Sequence, residues 1–280
     1  MTSASPRVAL FCETFHEING VALTARQLVQ FAKRSGRRFL TVLPGPRLTR
    51  HEEGSISHLE LPRSWASFGI ERDLRYDLFL WRHMDVARRA ILEMRPDVIH
   101  VTSPGEFGQL GALLAHELHI PLVASWHTNI HQFVARRLEK LLAFANRDWR
   151  RDIGNWAEQT ALLPILRFYR IARATLAPTR EQVQWLAKST GRPSFLMTRG
   201  IDCELFHPSR RTAPRKPLRL GYVGRVTPEK RVRFLVDIEH ALLTAGHRDF
   251  QMVVVGDGDE RPWLERNLHQ GVFTGVLRDH

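Results

Sequence analysis

Two basic side chains, Arg225 and Lys230, flank a proline-bearing bend in the stretch RLGYVGRVTPEK that runs from Arg219 to Lys230. An arginine offers a planar fork of N–H donors and a lysine a compact positive charge, a pairing suited to a diphosphate. The apolar run of Leu218, Leu220, Tyr222 and Val223 reads as a short strand that stops at Gly224. After the bend, Val232, Leu235, Val236 and Ile238 recur at helical spacing. In an open α/β sheet ligands gather at such a strand end, and a helix N-terminus there favours anions. A solvated basic turn fits the same residues equally well.

Other residues with chemical capacity sit at similar places. Gly20 follows the strand RVALFC and opens the helical pattern of Val21, Leu23, Ala25, Leu28 and Val29. A glycine there lets a phosphate or sugar approach the backbone, though it could equally be an ordinary turn glycine. His127 stands at the end of the apolar strand PLVAS, where a structural histidine is the plain alternative. Asp257, Gly258 and Asp259 follow the strand FQMVVV. An Asp-x-Asp after a strand could hold a divalent cation through its oxygens.

The elements that must position these residues alternate along the chain. Strands are expected at Arg7–Cys12, Arg37–Leu43, Asp97–Val101, Pro121–Ser125, Thr175–Ala177 and Phe195–Thr198, with Ser57–Leu61 as an edge strand. Helices are expected over 21–31, 77–94 and 158–173, from the loop Thr102–Gly108 on to about Leu118, and over Thr179–Thr190 with Thr179 as the cap. Such alternation predicts a doubly wound parallel sheet with Gly20, Gly105 and His127 along one rim. The polar, basic, proline-bearing segment Ser209–Pro217 reads as a linker, giving domains at 1–209 and 218–280 joined by 210–217. The second unit is expected as strand, helix over 232–245, strand 250–255, helix 261–270 and a final Val272–Gly275 piece. It is short for a compact two-layer domain.

The chain has 280 residues, 43% of them hydrophobic, ample for packed cores, and a formal charge of +12 that suggests anionic partners. Its two cysteines, Cys12 and Cys203, form neither a disulfide framework nor a zinc spacing. The start MTSASPRVALF has no signal-peptide pattern, and no apolar run reaches the length of a membrane span, so a cytoplasmic protein is expected. Residues 132–156 place Val134, Leu138, Leu141, Leu142, Ala145, Trp149 and Trp156 on one helical side and Arg136, Lys140, Arg147 and Arg151 on the other. That pattern fits an anionic membrane surface or a core-packed helix with a solvated basic face. Basic residues are spread along the chain without a nucleic-acid-reading motif, so nucleic acid is not an expected partner.

Together the pieces resemble a known family. Asn19-Gly20-Val21, Ser125-Trp126-His127-Thr128-Asn129, Arg199-Gly200-Ile201-Asp202, Tyr222-Val223-Gly224-Arg225 with Lys230, Val255-Gly256-Asp257-Gly258 and Phe273-Thr274-Gly275 occur in the order of the retaining GT-B glycosyltransferases, over nearly the whole length. The resemblance is to the group 1 branch that glycosylates bacterial lipids. It implies an α/β fold of two Rossmann-like doubly wound domains facing across a cleft, the second incomplete here. It implies hexose transfer with retention, from a nucleotide diphosphate sugar such as GDP-mannose to a membrane lipid or glycan, with no essential metal or cofactor. Arg225 and Lys230 would hold the donor diphosphate, and Gly20 the loop over it. Gly224, Asp257 and Gly258 would shape the donor site, and Phe273 and Thr274 would line the base pocket. His127 would be the catalytic group beside the transferred sugar. The family's Glu-(seven residues)-Glu motif belongs to the C-terminal domain, and none occurs between Leu218 and His280. The resemblance therefore also allows an inactive nucleotide-binding or membrane-docking module.

Overall fold

The structure, a computed structural model, describes residues 5–17, 19–71, 74–127, 160, 162–211 and 216–277. The chain falls into two units, Met1–Ile201 and Asp202–His280, dividing earlier than the boundary at 209–210 read from composition.

The first unit begins with β1 (Val8–Phe11), α1 (Gly20–Arg34), β2 (Phe39–Gly45), β3 (Thr49–Glu53) and β4 (Ile56–Pro62). A small hairpin, β5 (Ser67–Glu71) and β6 (Leu74–Asp77), precedes α2 (Met84–Met94). Then come β7 (Val98–Val101), α3 (Glu106–Glu117), β8 (Leu122–Ser125), β9 (Ala174–Ala177), the helix Arg180–Thr190 and β10 (Ser194–Leu196). The sheet runs β10-β9-β8-β7-β1-β2-β4-β3, parallel throughout except for the β3–β4 pair.

Side-chain alternation along β1 sorts two cores. Ala9 and Phe11 face one side with Leu110 and Leu114 of α3 and Ile91 of α2. Leu10 and Cys12 face the other with Ala25, Val29 and Ala32 of α1. Helices thus cover both faces, which is why the central strands read as continuous apolar runs. Each fully buried Leu or Phe contributes roughly 1.5–3 kcal/mol from lost apolar exposure. Thr179 caps its helix as expected, its Oγ1 accepting from the Gln182 N–H at 3.2 Å.

Three sequence expectations need correction. The expected edge strand Ser57–Leu61 is the interior strand β4, and the edge is β3, whose residues TRHEE are all exposed. His58 of β4 tolerates burial because it finds a partner, its Nδ1 lying 2.8 Å from Thr41 Oγ1. A helix from Asp77 does not form; Asp77 closes the hairpin and α2 starts at Met84 after a 3-10 turn. The Asp77 carboxylate accepts from the Ser64 N–H at 2.6 Å, the Phe79 N–H at 2.9 Å and Arg82 Nη1 at 3.2 Å, and from the Ser64 hydroxyl. Such local side-chain bonds compete with helix formation.

The second unit holds β11 (Leu218–Val223), β12 (Phe250–Val255) and β13 (Gly271–Gly275), parallel and in that order. Helices Phe234–Thr244 and Arg261–Asn267 alternate with them. The latter helix is the third correction, ending before the expected Gln270. The buried Glu239 carboxylate accepts the His269 N–H at 3.0 Å and also the Gln270 N–H, drawing the chain out of the helix. Phe250, Met252 and Val254 alternate into one core with Val226, Val232, Leu264 and Leu268. Leu218 and Val223 of β11 remain 53% and 79% exposed, so this sheet does not match the two-sided burial of the first.

Burial raises the proton affinity of Asp77, but the bonds from Ser64, Phe79 and Arg82 outweigh it and hold the pKa down to about 2. A depressed carboxylate stabilises the fold fully above its unfolded value near 4 and loses that contribution as pH falls through 2. Asp77→Ala is expected to cost about 3 kcal/mol at neutral pH, because it strands Arg82 and two backbone N–H groups. Urea titrations of both proteins at pH 7 and pH 3 check this, with the difference shrinking at the lower pH.

Candidate functional site

In the second unit the turn after β11 is laced to the end of β12. Gly224 N donates to Val255 O at 3.0 Å, Val226 N to Asp257 O at 2.9 Å, and Glu260 N to Val226 O at 3.0 Å. Gly256 N in turn donates to Gly275 O at 2.8 Å, tying in β13. The approach is too close for side chains: a Cβ on Gly256, at φ +139°, would stand 1.9 Å from Gly224 O. One on Gly258 would stand 2.3 Å from Val226 O. Val226 is fully buried and anchors the bend, while Arg225 beside it is only partly buried. Pro228–Lys230 form a 3-10 turn, and Lys230 is exposed. Arg231 follows in the left-handed region at φ +50°, a conformation that places a non-glycine residue under strain.

The expected donor residues Gly224, Arg225, Asp257, Gly258 and Thr274 therefore come together at the C-terminal edge of β11, β12 and β13. Asp257 is exposed, accepts the Gly258 N–H at 2.8 Å and lies 4.0 Å from Arg261. Thr274 Oγ1 donates to Gly275 O at 3.1 Å. Phe273 packs its ring against the core of this unit, leaving its backbone at the edge. A cavity of about 350 Å³ flanks the bend, lined by Pro228, Arg231, Val232, Arg233, Phe234 and Glu260. None of these is among the expected donor residues.

In the first unit, Trp126 is 2% exposed and packs on Tyr169 and Trp185, with ring centroids 5.1 and 5.0 Å away. The Tyr169 hydroxyl donates to Ser125 O at 2.9 Å, and Trp126 N to Leu176 O at 2.7 Å. These contacts hold the end of β8 and so the position of His127. Its Nδ1 is buried and has no hydrogen-bond partner among the described residues. Burial, then His100, then Arg199 lower the His127 pKa to about 3, so the ring is neutral at pH 7. A neutral imidazole can donate or accept a hydrogen bond without repelling a developing cation.

Gly20 opens α1, where the Asn19 side chain caps the Val21 and Ala22 N–H groups at 3.0 and 2.9 Å. The space a side chain would take at Gly20 is filled by Arg199, whose Nη1 lies 1.6 Å from the ideal Cβ position. Arg199 thus stands with both Gly20 and His127, a grouping that sequence reading did not make. Its position inside the Arg-Gly-Ile-Asp stretch was the available signal.

A second feature missed in the sequence is a buried acidic pair. Glu13 after β1 and Glu106 at the start of α3 are 6% and 2% exposed. Burial, with the Glu13 charge second, raises the Glu106 pKa to about 7. Arg63 Nη2 lies 3.3 Å from Glu106, and Ser103 donates to Glu13. Glu13 and Glu106 are far apart in sequence, so spacing carried no sign of the pair.

The basic amphipathic segment 132–156 lies outside the described residues. Among the described residues no helix is long and apolar enough to cross a membrane. Substituting Gly256→Ala is expected to destabilise the second unit by about 2 kcal/mol or more through steric strain at this φ. A lowered urea midpoint for that unit, with the first unit's transition unmoved, is the check.

The family model for Glycosyltransferase Family 4 matches residues 18–205. A GDP-mannose-dependent alpha-mannosyltransferase of Corynebacterium glutamicum is 29% identical over 97% of this chain and 62% of its own length. The Mycobacterium tuberculosis protein of the same description is 28% identical over 96% of this chain and 68% of its own. The chain therefore spans roughly two thirds of these relatives. Among solved structures, Anabaena HepE in complex with UDP and glucose superposes with a TM-score of 0.59 at 15% identity, covering 98% of this chain and 70% of that one. At that identity the likeness shows the fold, which is α/β and of the GT-B type. The chain belongs to glycosyltransferase family 4.

Proposed function

We propose that this chain is the hexose-transferring part of a retaining glycosyltransferase. It moves mannose or a similar sugar from a nucleotide diphosphate donor to an acceptor, a membrane lipid or glycan. The observation that carries this reading is the cation-bearing bend of the second unit, held at the C-terminal edge of a parallel sheet by glycines with no room for side chains. Relatives described as GDP-mannose-dependent and the UDP complex of HepE support the donor class.

In this reading Arg225 and Lys230 bind the diphosphate oxygens and neutralise the charge that grows there as the bond from the anomeric carbon to the phosphate oxygen breaks. The acceptor oxygen bonds to the same face of that carbon, and its proton leaves to the departing phosphate. Backbone groups of Gly224, Asp257, Gly258, Phe273 and Thr274 shape the nucleotide pocket. Gly20 admits the donor at the mouth of α1. Neutral His127 hydrogen-bonds the sugar and tolerates the oxocarbenium-like charge beside it. This chemistry asks for no resident metal, because the two cations supply the positive charge. We place the enzyme on the cytoplasmic face of a membrane, in line with its charge of +12 and the attraction of basic proteins to anionic lipid.

Calorimetry of the full chain with GDP and UDP tests the donor site. Arg225→Ala and Lys230→Ala should each weaken nucleotide binding about 10- to 100-fold, the loss of a charge-assisted contact of ~1.5–3 kcal/mol. A chelator should leave binding unchanged. Nucleotide affinity indifferent to both substitutions, with salt-sensitive binding to any DNA instead, would refute the reading. Saturable GDP binding without turnover would mark the chain as a nucleotide-binding module.

A further inference from the structure

Arg199 is exposed and, among the described residues, has no carboxylate partner. The buried acids of its unit are turned elsewhere, Glu13 to Ser103 and Glu106 to Arg63. Gln27 of α1 donates from Nε2 to Gly200 O at 2.9 Å, tying the backbone beside Arg199 to the helix. The missing side chain of Gly20 then makes the seat, with Nη1, Cζ and Nη2 at 1.6, 2.7 and 3.3 Å from where a Cβ would be.

That seat is electrostatically unfavourable for an unaccompanied cation. The first turn of α1 carries the positive end of the helix dipole, which disfavours a like charge. His127, which Arg199 helps keep uncharged, offers no compensation. An exposed guanidinium set beside the N-terminus of α1 and a neutral imidazole is positioned to receive an anion. Its planar fork matches two oxygens of one phosphate or carboxylate.

We propose that Arg199, seated on Gly20 beside His127, is a specificity-determining residue that receives a single phosphate or carboxylate group of one substrate. The inference rests on the glycosyltransferase reading, since it takes the ligand to be a sugar substrate. Two sources share this chemistry: a phosphate of the donor, or an acidic group on the acceptor. Glycine at position 20 then has a second role, because any side chain there would evict the guanidinium.

The test follows the Gly20 amide and the Arg199 Nε–H by NMR of the full chain at neutral pH and low salt, with inorganic phosphate as the first probe. Phosphate should move both signals saturably in the parent protein. Arg199→Gln and Gly20→Ala should each abolish the response of the remaining signal, with thermal midpoints near the parent's. An immobile pair of signals, or a Gly20 response that survives Arg199→Gln, overturns the proposal. GDP and glucuronate, with glucose as the neutral control, then separate the sources. A loss of GDP affinity of about tenfold in Arg199→Gln assigns the donor. A response to glucuronate but not glucose, with GDP affinity intact, assigns the acceptor. A response to phosphate alone, with neither of these, is an adventitious ion only and overturns it. GDP binding lost in Arg225→Ala but untouched in Arg199→Gln leaves the donor-site reading standing. GDP binding untouched by either substitution removes that reading as well.

Discussion

The close approach of two strand ends in the second unit is the constraint on which its candidate site depends. Gly224 O and Val226 O lie where side chains of β12's trailing residues would be, and only glycines at 256 and 258 allow it. Four backbone hydrogen bonds then share the lacing among β11, β12 and β13. Because Val226 is buried as the anchor, the chain on either side of it is aimed rather than free. Arg225 and Lys230 owe their place at the sheet edge to that backbone.

The first unit solves a different problem, keeping one histidine neutral and in place. Trp126, Tyr169 and Trp185 form an aromatic clamp immediately before it, and the Tyr169 hydroxyl secures the strand carbonyl. Burial does most of the work on the proton affinity of His127, with His100 and Arg199 adding to it. The same unit keeps two carboxylates out of water, with Arg63 beside Glu106 and Ser103 donating to Glu13. Burying carboxylates in this way is costly, and the sheet's interior otherwise takes in only neutral polar side chains such as Thr41 and Thr175 among its apolar residues. That contrast separates the functional edge from the packing core.

Much of this was legible in the residues. Apolar runs bounded by turn residues marked β1, β7 and β8, because strands covered on both faces have few polar positions to blur them. Cap chemistry marked the start of the helix at Arg180, and the Arg225–Lys230 bend showed its glycine, proline and charges in one short window. Less legible were elements decided by distant partners. Ser57–Leu61 read as an edge strand, yet β4 lies inside the sheet, where Thr41 meets His58 in a hydrogen bond. Asp77 looked like a helix start until Ser64 and Arg82 drew it into a hairpin. Glu239 ended a helix some thirty residues further along the chain.

By itself, then, the sequence determined the alternation of the central strands and helices, the parallel α/β class and the residue types at each strand end. These follow from hydrophobic period, turn residues and capping, all of which act within a few positions of the chain. Only the tertiary structure decided that Arg199 sits upon Gly20, that His127 is neutral, and that Glu13 meets Glu106. Each of those depends on residues dozens of positions apart being brought into one low-dielectric space, where burial and near charges set the state of a group that spacing alone leaves open.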